Sequence, residues 1–201
     1  LRKADFEGLI KVFEKPVVVF GQNEMGYDFI DVNNEKGTYM ATRHVIGLGV
    51  RNVVFFGIDL DEPFERSREK GYLQAMEGSL KKAAIFRMEN SSKKSEARAR
   101  EVLASFDAPA AVVCASDRIA LGVIRAVQSL GKRIPEDVAV TGYDGVFLDR
   151  IASPRLTTVR QPVVEMGEAC ARILLKKINE DGAPQGNQFF EPELIVREST
   201  L

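Results

Sequence analysis

Histidine and cysteine are nearly missing from this chain of 201 residues: there is one histidine, His44, and there are two cysteines, Cys114 and Cys170. One histidine cannot build a histidine metal cluster. Two cysteines this far apart give neither a disulfide framework nor a zinc site. They read as reduced, buried thiols, which suits a cytoplasmic protein. No apolar run is long enough to span a bilayer, and "LRKADFEGLI" lacks the apolar core and small-residue cleavage site of a signal peptide. The formal net charge is −1, so no global positive field exists to grip phosphates, and the chain is not expected to hold nucleic acid itself. No Gly-x-Gly-x-x-Gly opens a helix after a strand. "GLGVRN" has two of the glycines but ends a helix and enters a strand. A phosphate loop is also missing, and one histidine supports no Ser-His-Asp set. The expectation is a protein that is not an enzyme and needs no cofactor or metal.

What is present is an ordinary globular composition, 45% apolar and 28% charged. Short apolar runs alternate with helical patterns. "KPVVVFG", part of "YDFIDVN", "RNVVFFGID", "KAAIFRM", "APAAVVCAS" and "EDVAVTGYD" read as strands. "GTYMATRHVIGLG" puts Met40, Ala41, His44, Val45 and Leu48 on one helical face, and Gly49 can end it in a left-handed cap. "SSKKSEARAREVLASF" has a serine cap, a solvated charged face and an apolar spacing of Ala97, Val102 and Phe106. "QFFEPELIVREST" is extended. The fold class is α/β, with parallel sheets covered by helices on both faces. Ligands on such sheets bind beyond the carboxyl ends of the strands, at a switch in strand order. Asp144 after "VAVTGY", Ser116 and Asp117 after "AAVVCA", and Asp59 to Asp61 after "VVFFGI" occupy such ends.

Four stretches carry a resemblance: "ASDRIALGVIRAVQSLG", "IPEDVAVTGYDGV", "SPRLTTVRQP" and "PELIVREST". In order and spacing they are similar to the carboxyl-terminal part of LacI/GalR transcription regulators. Upstream, "DVNNEKGTYMATRHVIGLGVRNVVFFG" and "SREKGYLQAM" resemble the same family. The resemblance implies a periplasmic-binding-protein-like core of two lobes, crossed three times by the chain, with a small molecule in the cleft between them. It implies a homodimer, and operator DNA read only through a separate helix-turn-helix that is absent here. The start of the amino-terminal lobe also has no counterpart. The division implied is residues 1–35 as a remnant of the amino-terminal lobe and 36–158 as the carboxyl-terminal lobe. Residues 159–190 would be the hinge and a helix returning to the first lobe, and 191–201 a final extended segment of the second. A lobe short of its usual cover favours association or disorder.

The family pattern transfers residue by residue. Asp144 would accept hydrogen bonds from effector hydroxyls; its bland role is a loop cap. Gly145 stands where a second aspartate is common. Arg68, of Arg-x-x-Gly-Tyr, would reach the effector with its fork, with Arg66 as an in-register rival. Ser116 would touch the effector or cap the helix after it, and Asp117 is assigned to capping. Asn33 and Asn34 stand at the first crossing, as contacts or as turn residues. Phe64 would stack on a sugar ring or fill the core. Gln161 and Pro162 would form the hinge. The implied effector is a sugar, sugar phosphate or nucleoside-like molecule, and no membrane is involved. The rivals are a periplasmic-type sugar-binding protein of a transport system and, from another class, an α/β enzyme. Asp144→Ala and Arg68→Ala are both expected to weaken effector binding and leave ligand-free stability nearly unchanged.

Overall fold

The structure, a computed structural model, describes residues 8, 15–21, 26–79, 82–106, 109–145, 152–179 and 186–201. The chain divides into two units, one of residues 1–32 and 162–190, the other of residues 33–161 and 191–201. It therefore passes from one unit to the other at three places: between Val32 and Asn33, between Gln161 and Pro162, and between Phe190 and Glu191.

The second unit holds a six-stranded sheet. Its strands are β3 (Asn52–Ile58), β4 (Ala84–Met88), β5 (Ala110–Cys114), β6 (Val138–Asp144), β7 (Thr157–Arg160) and β9 (Glu193–Ile195). The spatial order is β4-β3-β5-β6-β7-β9, parallel throughout except for β9, which runs antiparallel to β7. The run "AAVVC" is buried at every position because both faces of β5 are covered. Four helices provide that cover: α1 (Asn34–Gly47), α2 (Pro63–Met76), α3 (Ser92–Ala104) and α4 (Asp117–Ser129). They pack as two pairs, α1 with α2 and α3 with α4. The first pair closes on Gly71, where any Cβ would collide with the Glu35 carbonyl oxygen. The neighbouring Tyr72 is buried, stacks on Phe55 with ring centroids 5.3 Å apart, and donates from its hydroxyl to the Val53 carbonyl at 2.9 Å. The Ala84 N–H donates to the same hydroxyl at 3.0 Å, so one side chain ties α2 to two strands. Burial pushes the Tyr72 phenol up to about 12.

The chain runs from β3 outward to β4 and then back past β3 to β5, so the switch in strand order lies between β3 and β5. The extended stretch at the end of the chain splits in two. β8 (Gln188–Phe190) belongs to the first unit and β9 to the second. After β9 the Ser199 hydroxyl donates to the Val140 carbonyl at 2.6 Å and accepts from the Thr157 N–H at 2.8 Å. Thr200 Oγ1 lies 2.7 Å from Thr157 Oγ1 and 2.8 Å from His44 Nε2, and burial pulls the His44 pKa down.

Two helical faces depart from the sequence reading. Leu48 is 43% exposed, because the helix stops at its cap and Gly49 turns away with φ +75°. On α3 the buried face is Ser95, Ala99, Val102 and Leu103, and Ala97 points out. Ser95 faces inward because α4 crosses at Gly122, and the Ser95 hydroxyl donates to the Ile119 carbonyl at 3.1 Å.

The first unit is a parallel sheet of order β1-β2-β8, with β1 (Val19–Phe20) and β2 (Phe29–Val32), against α5 (Val163–Asn179). Only two residues of "KPVVVFG" pair as a strand. Among the described residues its buried apolar cluster is Ile30, Val32, Met166 and Ala169. Lys177 Nζ and Asp28 Oδ2 pair at 2.8 Å beside it.

Candidate functional site

The carboxyl ends of β5 and β6 meet the amino-terminal turns of α1 and α2 around one side chain. Arg68 stands in the second turn of α2, and its side chain is 6% exposed. Its Nε donates to Asn34 Oδ1 at 2.8 Å, at the start of α1. Its Nη1 donates to the Ala115 carbonyl at 2.6 Å, just past β5. Its Nη2 lies 3.7 Å from Asp144 Oδ1, at the end of β6. The guanidinium carbon sits 3.7 Å from the centroid of the Tyr143 ring and 5.1 Å from that of Phe64. A cation held over an aromatic face is further stabilised, the more so when desolvated. Arg66, the rival in sequence, is exposed and pairs with Asp61. The helical register decides between the two: Arg68 shares the inward face with Glu65 and Tyr72.

Asp144 is the open member of the pair, with a side chain 31% exposed. Its Oδ1 accepts from Gln161 Nε2 at 2.8 Å, and its carbonyl accepts from the Gln161 N–H at 3.2 Å. Burial raises its pKa, opposed by the Arg68 charge, the Gln161 hydrogen bond and the Arg118 charge. Its φ is +114°, a region a residue with a Cβ enters only at a cost of about 1–3 kcal/mol. Gly145 follows at φ +66°, where a Cβ would come within 2.5 Å of Arg160 Cα. Glycine therefore suits the position at which relatives of this pattern often carry a second aspartate.

The other candidates divide. Asn34, 4% exposed, commits its Oδ1 to Arg68. Asn33 caps α1, accepting from the Lys36 N–H at 3.1 Å. Ser116 caps α4, accepting from the Ile119 N–H at 3.2 Å, and its hydroxyl donates to Asn90 Oδ1 at 2.8 Å. Asp117 does not take the cap. It begins the helix, and its Oδ1 accepts from Thr158 Oγ1 at 2.5 Å. Phe64 is half-buried against the guanidinium. Gln161, bonded to Asp144, is the last residue of the 33–161 stretch of the second unit. Pro162 begins the 162–190 stretch of the first, where its carbonyl accepts from the Met166 N–H at 3.0 Å. Sequence reasoning missed Tyr143 and Asn90. Tyr143 was quoted only as the residue before the aspartate, and nothing local marks it as the platform for an arginine 75 positions away.

The expected indifference of ligand-free stability to Arg68→Ala does not fit this geometry. A nearly buried cation with two short hydrogen bonds is part of the core, and its removal takes a donor from the Ala115 carbonyl and from Asn34 Oδ1.

A family model described as a periplasmic binding protein-like domain matches residues 42–200. A Bacillus subtilis (strain 168) protein named as the HTH-type transcriptional regulator YvdE is 82% identical over 201 residues, covering 100% of this chain and 64% of that protein. The HTH-type transcriptional repressor PurR of Mannheimia succiniciproducens is 30% identical over 98% of this chain and 61% of its own length. The chain thus spans less than two thirds of these relatives. Among solved structures, a complex of the transcriptional regulator CelR with cellobiose superposes with a TM-score of 0.88 at 28% identity, covering 98% of this chain and 63% of that one. A LacI family regulator from Enterococcus faecalis V583 with bound ribose gives 0.87 at 25% identity, covering 98% and 72%.

Proposed function

The chain belongs to the periplasmic binding protein-like family, as the effector-binding core of a LacI/GalR-type transcription regulator, and from that premise we propose that it binds a small carbohydrate-like effector at Arg68 and Asp144. The observation that carries this reading is the 3.7 Å gap between Arg68 Nη2 and Asp144 Oδ1. It is too long for a hydrogen bond and suits a hydroxyl that accepts from the guanidinium and donates to the carboxylate. The arginine is already fixed by Asn34, Ala115 and Tyr143, so little ordering is left to do on binding. Phe64 offers its ring to the apolar face of a sugar, and the strained backbone at Asp144 suits a position kept for function.

Asn33, Asn34 and Ser116 support the site from behind, as caps and as the anchor of Arg68. Gln161 links the site to the rest of the chain. It is bonded twice to Asp144 and is the last residue before the chain leaves the second unit. A ligand that engages Asp144 acts on that bond, and Gln161 with Pro162 serves as the hinge. Differential affinity for one arrangement of the units then shifts the population. In the full-length protein a separate helix-turn-helix would convert that shift into operator binding, in a homodimer in the cytoplasm. The relatives named above are regulators and repressors, which favours this reading over a transport component or an enzyme.

A thermal-shift screen of ribose, cellobiose, other sugars, sugar phosphates and nucleosides tests it. A sugar that raises the midpoint of the wild-type chain and not of Asp144→Asn is the expected result. Equal responses in both would remove Asp144 from the site.

A further inference from the structure

The sequence lets Ser116 touch the effector or cap a helix, and the structure commits its hydroxyl elsewhere. Ser116 is 1% exposed. Its Oγ accepts from the Ile119 N–H at 3.2 Å and gives its one proton to Asn90 Oδ1 at 2.8 Å. That proton fixes the orientation of the Asn90 amide, because the reverse orientation would turn N–H groups toward a buried hydroxyl proton. Asn90 itself is exposed. Its Nδ2 keeps two N–H donors, neither of them bonded to another described residue. Asn90 follows β4 and Ser116 follows β5, and β3 lies between those two strands. Their hydrogen bond therefore passes over the carboxyl end of β3, beside the switch in strand order, where sheets of this kind take ligands. Ala115, just before Ser116, accepts from Arg68 Nη1 at 2.6 Å. Asp117, just after it, packs so closely on Gly142 that a Cβ there would collide with its Oδ1, two positions before Asp144. One rim thus runs from Asn90 through Ser116 and Arg68 to Asp144. Ser116 holds Asn90 there as Asn34 holds Arg68.

We propose that Asn90 is a specificity-determining residue of the effector site, whose side-chain amide donates to an oxygen of the ligand: a ring, glycosidic or hydroxyl oxygen. The proposal rests on the reading that a hydroxylated molecule lies against Arg68 and Asp144, and it adds a contact of the opposite polarity to that of Asp144. The carboxylate accepts, so it selects a hydroxyl that donates. The open side of Asn90 only donates, so it selects an oxygen with a free lone pair and disfavours an ammonium group at that point of the ligand. Its anchor on Ser116 leaves little ordering to be done on binding.

The test sets Asn90→Asp beside Asn90→Ala and Asp144→Asn in the 201-residue chain, with calorimetric titration of ribose, cellobiose and the other sugars, sugar phosphates and nucleosides of the screen. Aspartate keeps an acceptor for the Ser116 hydroxyl and replaces both N–H donors by an oxygen, whereas alanine removes both roles. Without ligand, Asn90→Asp is expected to melt as the wild type does. It should bind the ligand about tenfold more weakly or worse, since a donor is lost and an acceptor faces an acceptor. Asn90→Ala should lose affinity too. In the wild-type chain the Asn90 side-chain N–H resonances should shift as the ligand is added, an arm that needs no variant to fold. Wild-type affinity in Asn90→Asp, or Asn90 resonances unmoved at saturation, would reduce Asn90 to a prop for Ser116 and overturn the proposal. If Asp144→Asn binds weakly in the same series, the proposal fails alone and the ligand reading stands. A wild-type chain that responds to no member of the panel would overturn both.

Discussion

Replacing Arg68 by alanine should damage the fold before it damages anything else. The side chain is 6% exposed and spans three segments: the start of α1, the end of β5 and the end of β6. Alanine leaves the Ala115 carbonyl and Asn34 Oδ1 without their donor, at about 1–3 kcal/mol for each buried acceptor. The stack on Tyr143 disappears, a contact worth up to about 2 kcal/mol when desolvated. Asp144 keeps Gln161 but loses its cation. These losses overlap, and their total falls in the range for breaking a buried ion pair, about 3–5 kcal/mol. For a chain of this size that lowers the thermal midpoint by roughly 10 °C. Circular dichroism melts and urea titrations of the ligand-free chain read it directly. A ligand-free midpoint within about 2 °C of wild type would refute the reasoning, since roughly that shift corresponds to under 1 kcal/mol.

Three further outcomes follow from the same geometry. Asp144→Gly should be more stable than Asp144→Ala without ligand, by about 1 kcal/mol, because glycine adopts φ +114° without a Cβ penalty; paired urea midpoints check this. Tyr72→Phe should cost about 1–3 kcal/mol, because the Val53 carbonyl and the Ala84 N–H both lose the hydroxyl; the same titrations measure it. Glu65→Gln should change the pH dependence of stability. The Glu65 carboxyl titrates near 7 when folded, against 4.5 for an unperturbed carboxyl. Between those values the unfolded chain holds fewer protons, so wild-type stability falls as pH rises through the window. The glutamine variant lacks that loss, on the order of 3 kcal/mol in full. It should gain on wild type above the window and not below it.

Much of this was legible in the sequence, for local reasons. A continuous apolar run such as "AAVVC" belongs to a strand buried on both faces, and the polar residues just after such runs stand at the carboxyl edge of the sheet. The motif around Arg68 and "VTGYDG" pointed to two side chains that the structure brings together. Long-range choices were not legible. Ala97 and Ser95 are both compatible with helical periodicity, and only the close approach of α4 at Gly122 selects Ser95. Arg66 and Arg68 differ by two positions, and their faces are set by the packing of α2 against α1. Asn34 read as a turn residue or a contact because its partner lies 34 positions on.

The account stands on Arg68 and Asp144 gripping a hydroxylated ligand. Isothermal titration calorimetry with the best sugar from the screen, on wild type and Asp144→Asn side by side, tests it most directly. Asparagine keeps the size and loses the charge, which removes about 1.5–3 kcal/mol of charge-assisted hydrogen bonding, or roughly tenfold to a hundredfold in affinity. That loss, with an unchanged fold, is the predicted result. The same affinity in both chains would contradict the account.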